Sequence, residues 1–553
     1  MNFRRTRMPP AFFVAAVFAI ALSGCASLGP DGSPGTAADA GNDDFVTSRP
    51  RVDSRDELIV VFTPGKVELD FRLSIMANEA QIFTAIYEGL FTYHPATALP
   101  VPALAEDWNI SPDGSEWTFT INRDARFSNG DRITSDDFRR SWLSLLEPER
   151  EAPYSNLFDV IEGARDFRLG LATDPSGVGI SAPDPRTLVV KLNAPTVFFP
   201  SMLCHHAFSP IHASMVDSQD WSGPGHVSSG AFRLAEINES RIVLEKNEFY
   251  WSAVDVVLSR IVVRFADDDE ASALWNSGEA LWIHGNVNFD TLVDHSGISV
   301  HALFGTHFYF LRSGEAPFDD YRVRRALALA LPWDDIRAGY FLPTRTLVGS
   351  LAGYPRVAGI GDGDLAQARR LLALAGFPDG EGMPEIIFRI TPSQDAARIV
   401  SMMGDAWLEN LGVSSRIEVV PYDEYIDSLN LDGYHVGSMS WIGNFPDPYS
   451  FLKLWRADSN LNVARLSDDD YEELMERSMF EQGAERLATL AEAEQLLLER
   501  GVIMPITFLP SVNVIDRQEL EGWFPSALGI HPFRYLGFRE FRPLPNVAGA
   551  FFR

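Results

Sequence analysis

Two cysteines in 553 residues are too few for a disulfide framework. Cys25 ends an N-terminal leader, and Cys204 stands alone in the body of the chain, so neither an intramolecular bridge nor a cysteine-based metal cluster is expected. Basic charge is also scarce. The net charge is −30, and so acidic a surface repels phosphates, which argues against a nucleic-acid partner. After the leader no apolar run is long enough to span a bilayer. Catalytic signatures are missing too: there is no G-x-S-x-G, H-E-x-x-H, C-x-x-C or Walker A loop, so no enzyme and no cofactor is expected. Gly359-Ile360-Gly361-Asp362-Gly363-Asp364 is glycine-rich but lacks the third glycine position and a preceding strand, so it reads as a loop. His205-His206 with His212 is the nearest approach to a metal set. Neighbours in a strand point to opposite faces, so no metal is expected there. Asp267-Asp268-Asp269-Glu270 and Asp468-Asp469-Asp470 read as charged helix starts, because no glycine or distal glutamate follows in calcium-loop register.

What is present begins with the leader. Arg4, Arg5 and Arg7 precede an apolar run from Ala11 to Leu22, too short for a membrane span, and Leu22-Ser23-Gly24-Cys25 closes it. Residues 1–24 read as a secretory signal whose end resembles a bacterial lipobox. That resemblance implies a lipid on Cys25 and anchorage to a membrane, each buried methylene contributing about 0.8 kcal/mol. Residues 25–56, rich in Gly, Ser, Pro, Ala and Asp, read as a flexible tether. The remaining roughly 500 residues suffice for two or three domains.

Leu58 to Phe62 reads as a strand, and Asn78 to Thr92 as a helix with Ile82, Ile86 and Leu90 on one face. Ser111-Pro112-Asp113-Gly114 turns a hairpin whose return strand points Trp117, Phe119 and Ile121 inward. Thr134 or Ser135 caps a helix carrying Phe138 and Trp142, with Asp136 and Asp137 in its first turn. Later come a helix from Leu365 to Gly376, a strand Ile386 to Ile390, a helix Ala396 to Leu411, a strand Ser415 to Val420 and a helix Glu485 to Arg500. An alternating run from Tyr434 to Ser440 reads as a strand that breaks at Gly443 and Pro446-Asp447-Pro448. Trp441 and Asn444 at its end offer a flat ring and a polar amide, which suits a cleft wall.

Several ordered segments carry a family resemblance. They are Tyr87-Glu88-Gly89-Leu90, the hairpin region Val101 to Trp142, Ser228 to Leu234, Ile242 to Asn247 with Tyr250-Trp251, Pro317 to Leu327, and Ser440 to Leu452. Together they resemble the extracellular solute-binding proteins of family 5, the oligopeptide-binding group that serves ABC importers. The resemblance implies an α/β fold of two lobes, of the class II periplasmic-binding type, with a hairpin-rich subdomain in lobe one. Its order implies lobe one at residues 57–95, the subdomain at 96–204, lobe one again at 205–312, lobe two at 313–501 and lobe one from 502 to 553. Hinge crossings are expected near Leu311-Arg312 and Ile503-Met504-Pro505. The implied ligand is a peptide or related solute, captured in the interlobe cleft by a monomer and passed to an ABC permease at the cell envelope. Cleft positions carried over are Met76, Ala77, Tyr154, Tyr422, Ser440, Trp441 and Asn444. One of them departs from the family: peptide-binding relatives hold an aspartate for the ligand's ammonium where this chain has Asn444. Other implied roles for such a fold are a sensor presenting ligand to a membrane receptor and a nickel-binding relative; a secreted hydrolase is the remaining alternative.

Overall fold

Leu58-Ile59-Val60-Val61-Phe62 is apolar on both faces and mostly β-branched or aromatic, which suits a strand covered from both sides. In the computed structural model, which describes residues 57–539 except Lys66, Ile75, Asn286 and Asn460, it lies inside a ten-stranded mixed sheet. The leader, Cys25 and the tether lie outside the described residues. Leu58–Phe62 pairs in parallel with Arg260–Phe265 on one side and Trp282–His284 on the other. Beyond Arg260–Phe265 come Arg241–Lys246 and Phe232–Ile237, both antiparallel. This is lobe one.

Two long antiparallel strands, Ile298–Leu311 and Ile503–Ile515, carry the sheet into lobe two. At one end Asn513 to Ile515 pairs with Trp282–His284; at the other Gly305 to Leu311 pairs with Val436–Ile442. The register slips between Ala302 and Thr306, so the strands change neighbours in mid-length. The resemblance implies crossings near Leu311-Arg312 and Ile503-Met504-Pro505, at one end of this strand pair. There Leu311 pairs with Val436 and Phe310 with Ile503.

Lobe two continues through Val436–Ile442, Ile386–Ile390 and Ser415–Val419. The last two are parallel and joined by the helix Gln394–Leu411. Ser393 caps that helix by accepting from the Ala396 N–H, and Gly412, at φ 71°, takes the left-handed turn that ends it. Trp407 on its inner face stacks on Phe388 at 5.2 Å.

A separate four-stranded antiparallel sheet, Ala105–Ile110, Glu116–Ile121, Thr187–Lys191 and Ile180–Asp184, forms the subdomain. Trp117, Phe119 and Ile121 are buried as their alternation requires. Thr134 and Asp137 complete a capping box on the helix Ser135–Leu146, which lays Phe138 and Trp142 into the same core.

The helix expected to reach Thr92 stops at Ile86. Tertiary contacts take over the residues beyond it. A Cβ on Gly89 would meet the Leu203 carbonyl oxygen at 2.9 Å, Ala103 and Ala105 donate to the Leu90 carbonyl, and Phe91–Tyr93 pairs with Pro100–Pro102. The His205-His206 pair lies in a short 3₁₀ turn rather than a strand, with rings 4.0 Å apart in the interior. Among the described residues no group of three metal-ligating side chains occurs. No described helix is long and apolar enough to cross a membrane.

Candidate binding cleft

The strand Val436–Ile442 delivers Ser440 and Trp441 to the inner edge of lobe two, and Gly443 releases the chain from the sheet. A side chain at Gly443 would strike Phe304, at 2.5 Å from a Cβ, so only glycine lets the backbone leave beside that ring. Asn444, Phe445 and the Pro446-Asp447-Pro448 turn then face the subdomain. Tyr93 donates to the Asn444 carbonyl at 3.3 Å. Phe198 stacks on Phe445 at 5.5 Å with the rings nearly parallel. Arg165 of the subdomain pairs with Asp458 of lobe two at 2.6 Å. One apolar cluster therefore runs from Phe198 and Phe208 into Phe445, Phe451 and Trp455, and the lobes are shut upon each other.

A cavity of about 320 Å³ opens along this seam, lined by Asn156, Asp159 and Arg168 from the subdomain and Tyr449, Lys453 and Arg456 from lobe two. That volume holds on the order of ten water molecules or a few peptide groups. A more open depression of about 410 Å³ is lined by residues 334–345 of lobe two alone. Its arginines are engaged, Arg337 to the Pro505 and Ile360 carbonyls and Arg345 to Asp362.

Tyr154 and Asn444 meet across the seam. Tyr154 is buried, its ring edge-on to His205 at 4.6 Å. Burial pushes its hydroxyl up to about 12, opposed in part by a hydrogen bond with the Asn444 side chain. The Asn444 Oδ1 atom itself has no hydrogen-bond partner among the described residues. Trp441 is half-buried, with its indole N–H donating to the Ser450 carbonyl at 3.0 Å. The Ser440 hydroxyl faces His307 Nδ1 at 3.1 Å, and burial pushes that imidazole down to about 4. Met76 begins the helix Ala77–Ile86 without a side-chain cap, and Ala77 is exposed. Tyr422 is exposed in the first turn of the helix Tyr422–Ser428.

The seam also contains residues that the sequence did not single out: Tyr93, Asn156, Phe198, Phe445 and Lys453. Lys453 had a legible signal, as the one charge in the apolar run Phe451-Leu452-Lys453-Leu454-Trp455. Asp447 is no free carboxylate, since Arg486 grips it at 2.7 and 2.9 Å.

A family model described as "Bacterial extracellular solute-binding proteins, family 5 Middle" matches residues 100–462. The oligopeptide-binding protein OppA of Bacillus subtilis is 27% identical over 478 residues, 82% of this chain and 87% of the relative. The structure of a periplasmic oligopeptide-binding protein (OppAIV) from Borrelia burgdorferi matches with a TM-score of 0.76 and 26% identity, covering 88% of this chain and 100% of that one. The Escherichia coli murein tripeptide binding protein MppA shares the fold at 24% identity and a TM-score of 0.76, over 88% of this chain and 99% of that one. Its unliganded open form fits less well, with a TM-score of 0.65. The poorer fit to an open form accords with the shut seam found here.

Proposed function

Because the chain belongs to the bacterial extracellular solute-binding proteins of family 5, we propose that it captures a peptide, or a solute built like one, between its lobes and delivers it to an ABC importer. The observation that carries this reading is a closed interlobe seam containing buried polar atoms without partners: Asn444 Oδ1, Asn156 Oδ1 and Lys453 Nζ. Leaving such groups unpaired costs free energy, and a ligand with matching donors and acceptors offsets that cost only when the lobes are closed. The ligand then shifts the lobes toward closure through that differential contact. In this reading Tyr154, Asn444, Trp441 and Ser440 contact the ligand, with Met76 and Ala77 beside it.

In this reading the monomer is held at the outer side of a membrane by lipid on Cys25, with residues 25–56 as its tether. No reaction is assigned to it. Native mass spectrometry of freshly purified protein tests the binding role. The expected result is a bound mass that is lost on unfolding and replaced by added tripeptides. A bare protein whose melting temperature no member of a tripeptide mixture raises would overturn the reading.

A further inference from the structure

The chain contains four lysines, and one of them, Lys453, is 6% exposed in the seam. It opens the 3₁₀ turn Lys453–Trp455, directly after the helix Tyr449–Leu452. Its ammonium lies 5.8 Å from the Phe445 ring centre and makes no hydrogen bond among the described residues. The acids of the seam are already held by arginine. Arg486 holds Asp447, Arg168 holds Asp159 at 2.6 Å, Arg165 holds Asp458, and Arg456 holds Glu472 at 2.9 Å. His205 beside the lysine is kept neutral, burial first and the neighbouring His206 second pushing its pKa well down. A buried ammonium with no acceptor is unfavourable, and an arginine-rich chain that keeps a lysine there leaves a place for an acceptor from outside.

We propose that Lys453 receives an anionic oxygen group of the bound solute, a carboxylate in a peptide-like ligand, so that the cargo presents negative charge to the seam. The proposal rests on the solute-binding reading and specifies its ligand. Asn444 Oδ1 and Asn156 Oδ1 accept N–H groups beside that carboxylate, as the last residue of a peptide or an N-acyl amino acid would supply. A ligand ammonium in the same place would meet Lys453 and find no unpaired carboxylate. Burial pushes Lys453 down to about 7, so an anion arriving at neutral pH also restores its proton.

The test is calorimetry on the full folded chain with two probes that differ only at one end, N-acetyl-trialanine and N-acetyl-trialanine amide. The acid should bind at least about tenfold tighter than the amide, as a charge-assisted bond implies. Lys453→Met should erase that preference and raise the melting temperature of the empty protein, because a buried ammonium is removed. An amide that binds as well as the acid, or a Lys453→Met protein that keeps the preference, would overturn the proposal. If neither probe binds, the peptide reading fails, and the lysine is tested by the melting temperature in succinate or inorganic phosphate. A rise present in the wild type and absent in Lys453→Met supports the anion site, and no such difference rejects it.

Discussion

Two of the buried polar clusters among the described residues are opposite in character. In lobe one Glu88 is fully engaged. Tyr250 donates to Oε1 at 2.5 Å, Trp251 to Oε2 at 2.6 Å, and Arg534 pairs with the same carboxylate. The Glu88 backbone N–H is taken by Ser229. In the interlobe seam Asn444, Asn156 and Lys453 each keep a buried polar atom without a partner. A closed network fixes one arrangement, here Arg534 against the segment that follows the first helix. An open one is a set of contacts awaiting a ligand. Burial alone does not distinguish the two; the state of their pairing does.

The sharpest way to break that contrast is to open the closed cluster. Arg534→Met leaves the Glu88 carboxylate buried without its cation, and unfolding in urea should show a loss of about 3–5 kcal/mol. Adding Glu88→Gln should recover much of it, since the stranded charge is gone. A single variant as stable as the wild type would show that the pair does not hold the C-terminal stretch.

A second closed cluster has a cost that depends on pH. Glu494 accepts from the Leu347 and Val348 N–H groups at 2.7 and 2.9 Å and from the Tyr354 hydroxyl at 2.7 Å. Burial nevertheless pushes it from 4.5 up to about 7, against those hydrogen bonds. The folded state therefore holds this proton more tightly than the unfolded chain. The stability it contributes is full below about pH 4.5 and is lost as pH rises to about 7, on the order of 3 kcal/mol. Glu494→Gln should remove that dependence, so the variant should match the wild type in acid and exceed it above neutrality. Denaturation midpoints across pH check this, and parallel curves for the two proteins would refute it.

Within the open cluster the effects are smaller and fall on the ligand. Asn444→Asp places a charge where the wild type has an amide. That charge would face Lys453 and compete with the ligand carboxylate, so N-acetyl-trialanine should lose about 1–2 kcal/mol in the variant, while the wild type binds the acetylated and the free tripeptide nearly equally. A wild type that already prefers the free form tenfold would contradict the reading of Asn444. Trp441→Phe removes one hydrogen bond, to Ser450, at about 1 kcal/mol of stability. It should also remove much of the ligand-induced fluorescence change; an undiminished change would place the reporter among the other eleven of the twelve tryptophans.

Local rules went far in reading the fold. Ile386–Ile390 begins and ends where the apolar run does, and Gly412 stops its helix as a left-handed cap should. The capping box at Thr134 was visible as a polar step before Phe138 and Trp142. The stretch after Ile86 was not, because Glu88 and Leu90 are drawn out of the helix by Arg534, Ala103 and Ala105, distant in sequence. The seam was half legible. Trp441 and Asn444 follow from a strand end and a turn, whereas Tyr93 and Phe198 join them only through lobe closure. Pairing state was hidden: Asp447 and Lys453 are both charges among apolar neighbours, and only the three-dimensional position of Arg486 distinguishes them.

The strand Ile503–Ile515 has a consequence for how the molecule is made. Trp282–His284, built early, waits with one edge unpaired until Asn513 to Ile515 arrives, and Gly305 to Leu311 likewise waits for the first half of that strand. A nascent chain halted before Ile503 would therefore hold nearly every helix of the protein and two raw sheet edges, open to whatever strand comes first. Completion depends on the final few dozen residues, which close the sheet and then bring His531 to Gln81 and Arg534 to Glu88. That timing is protective: the product cannot lock shut before its last strand has been made.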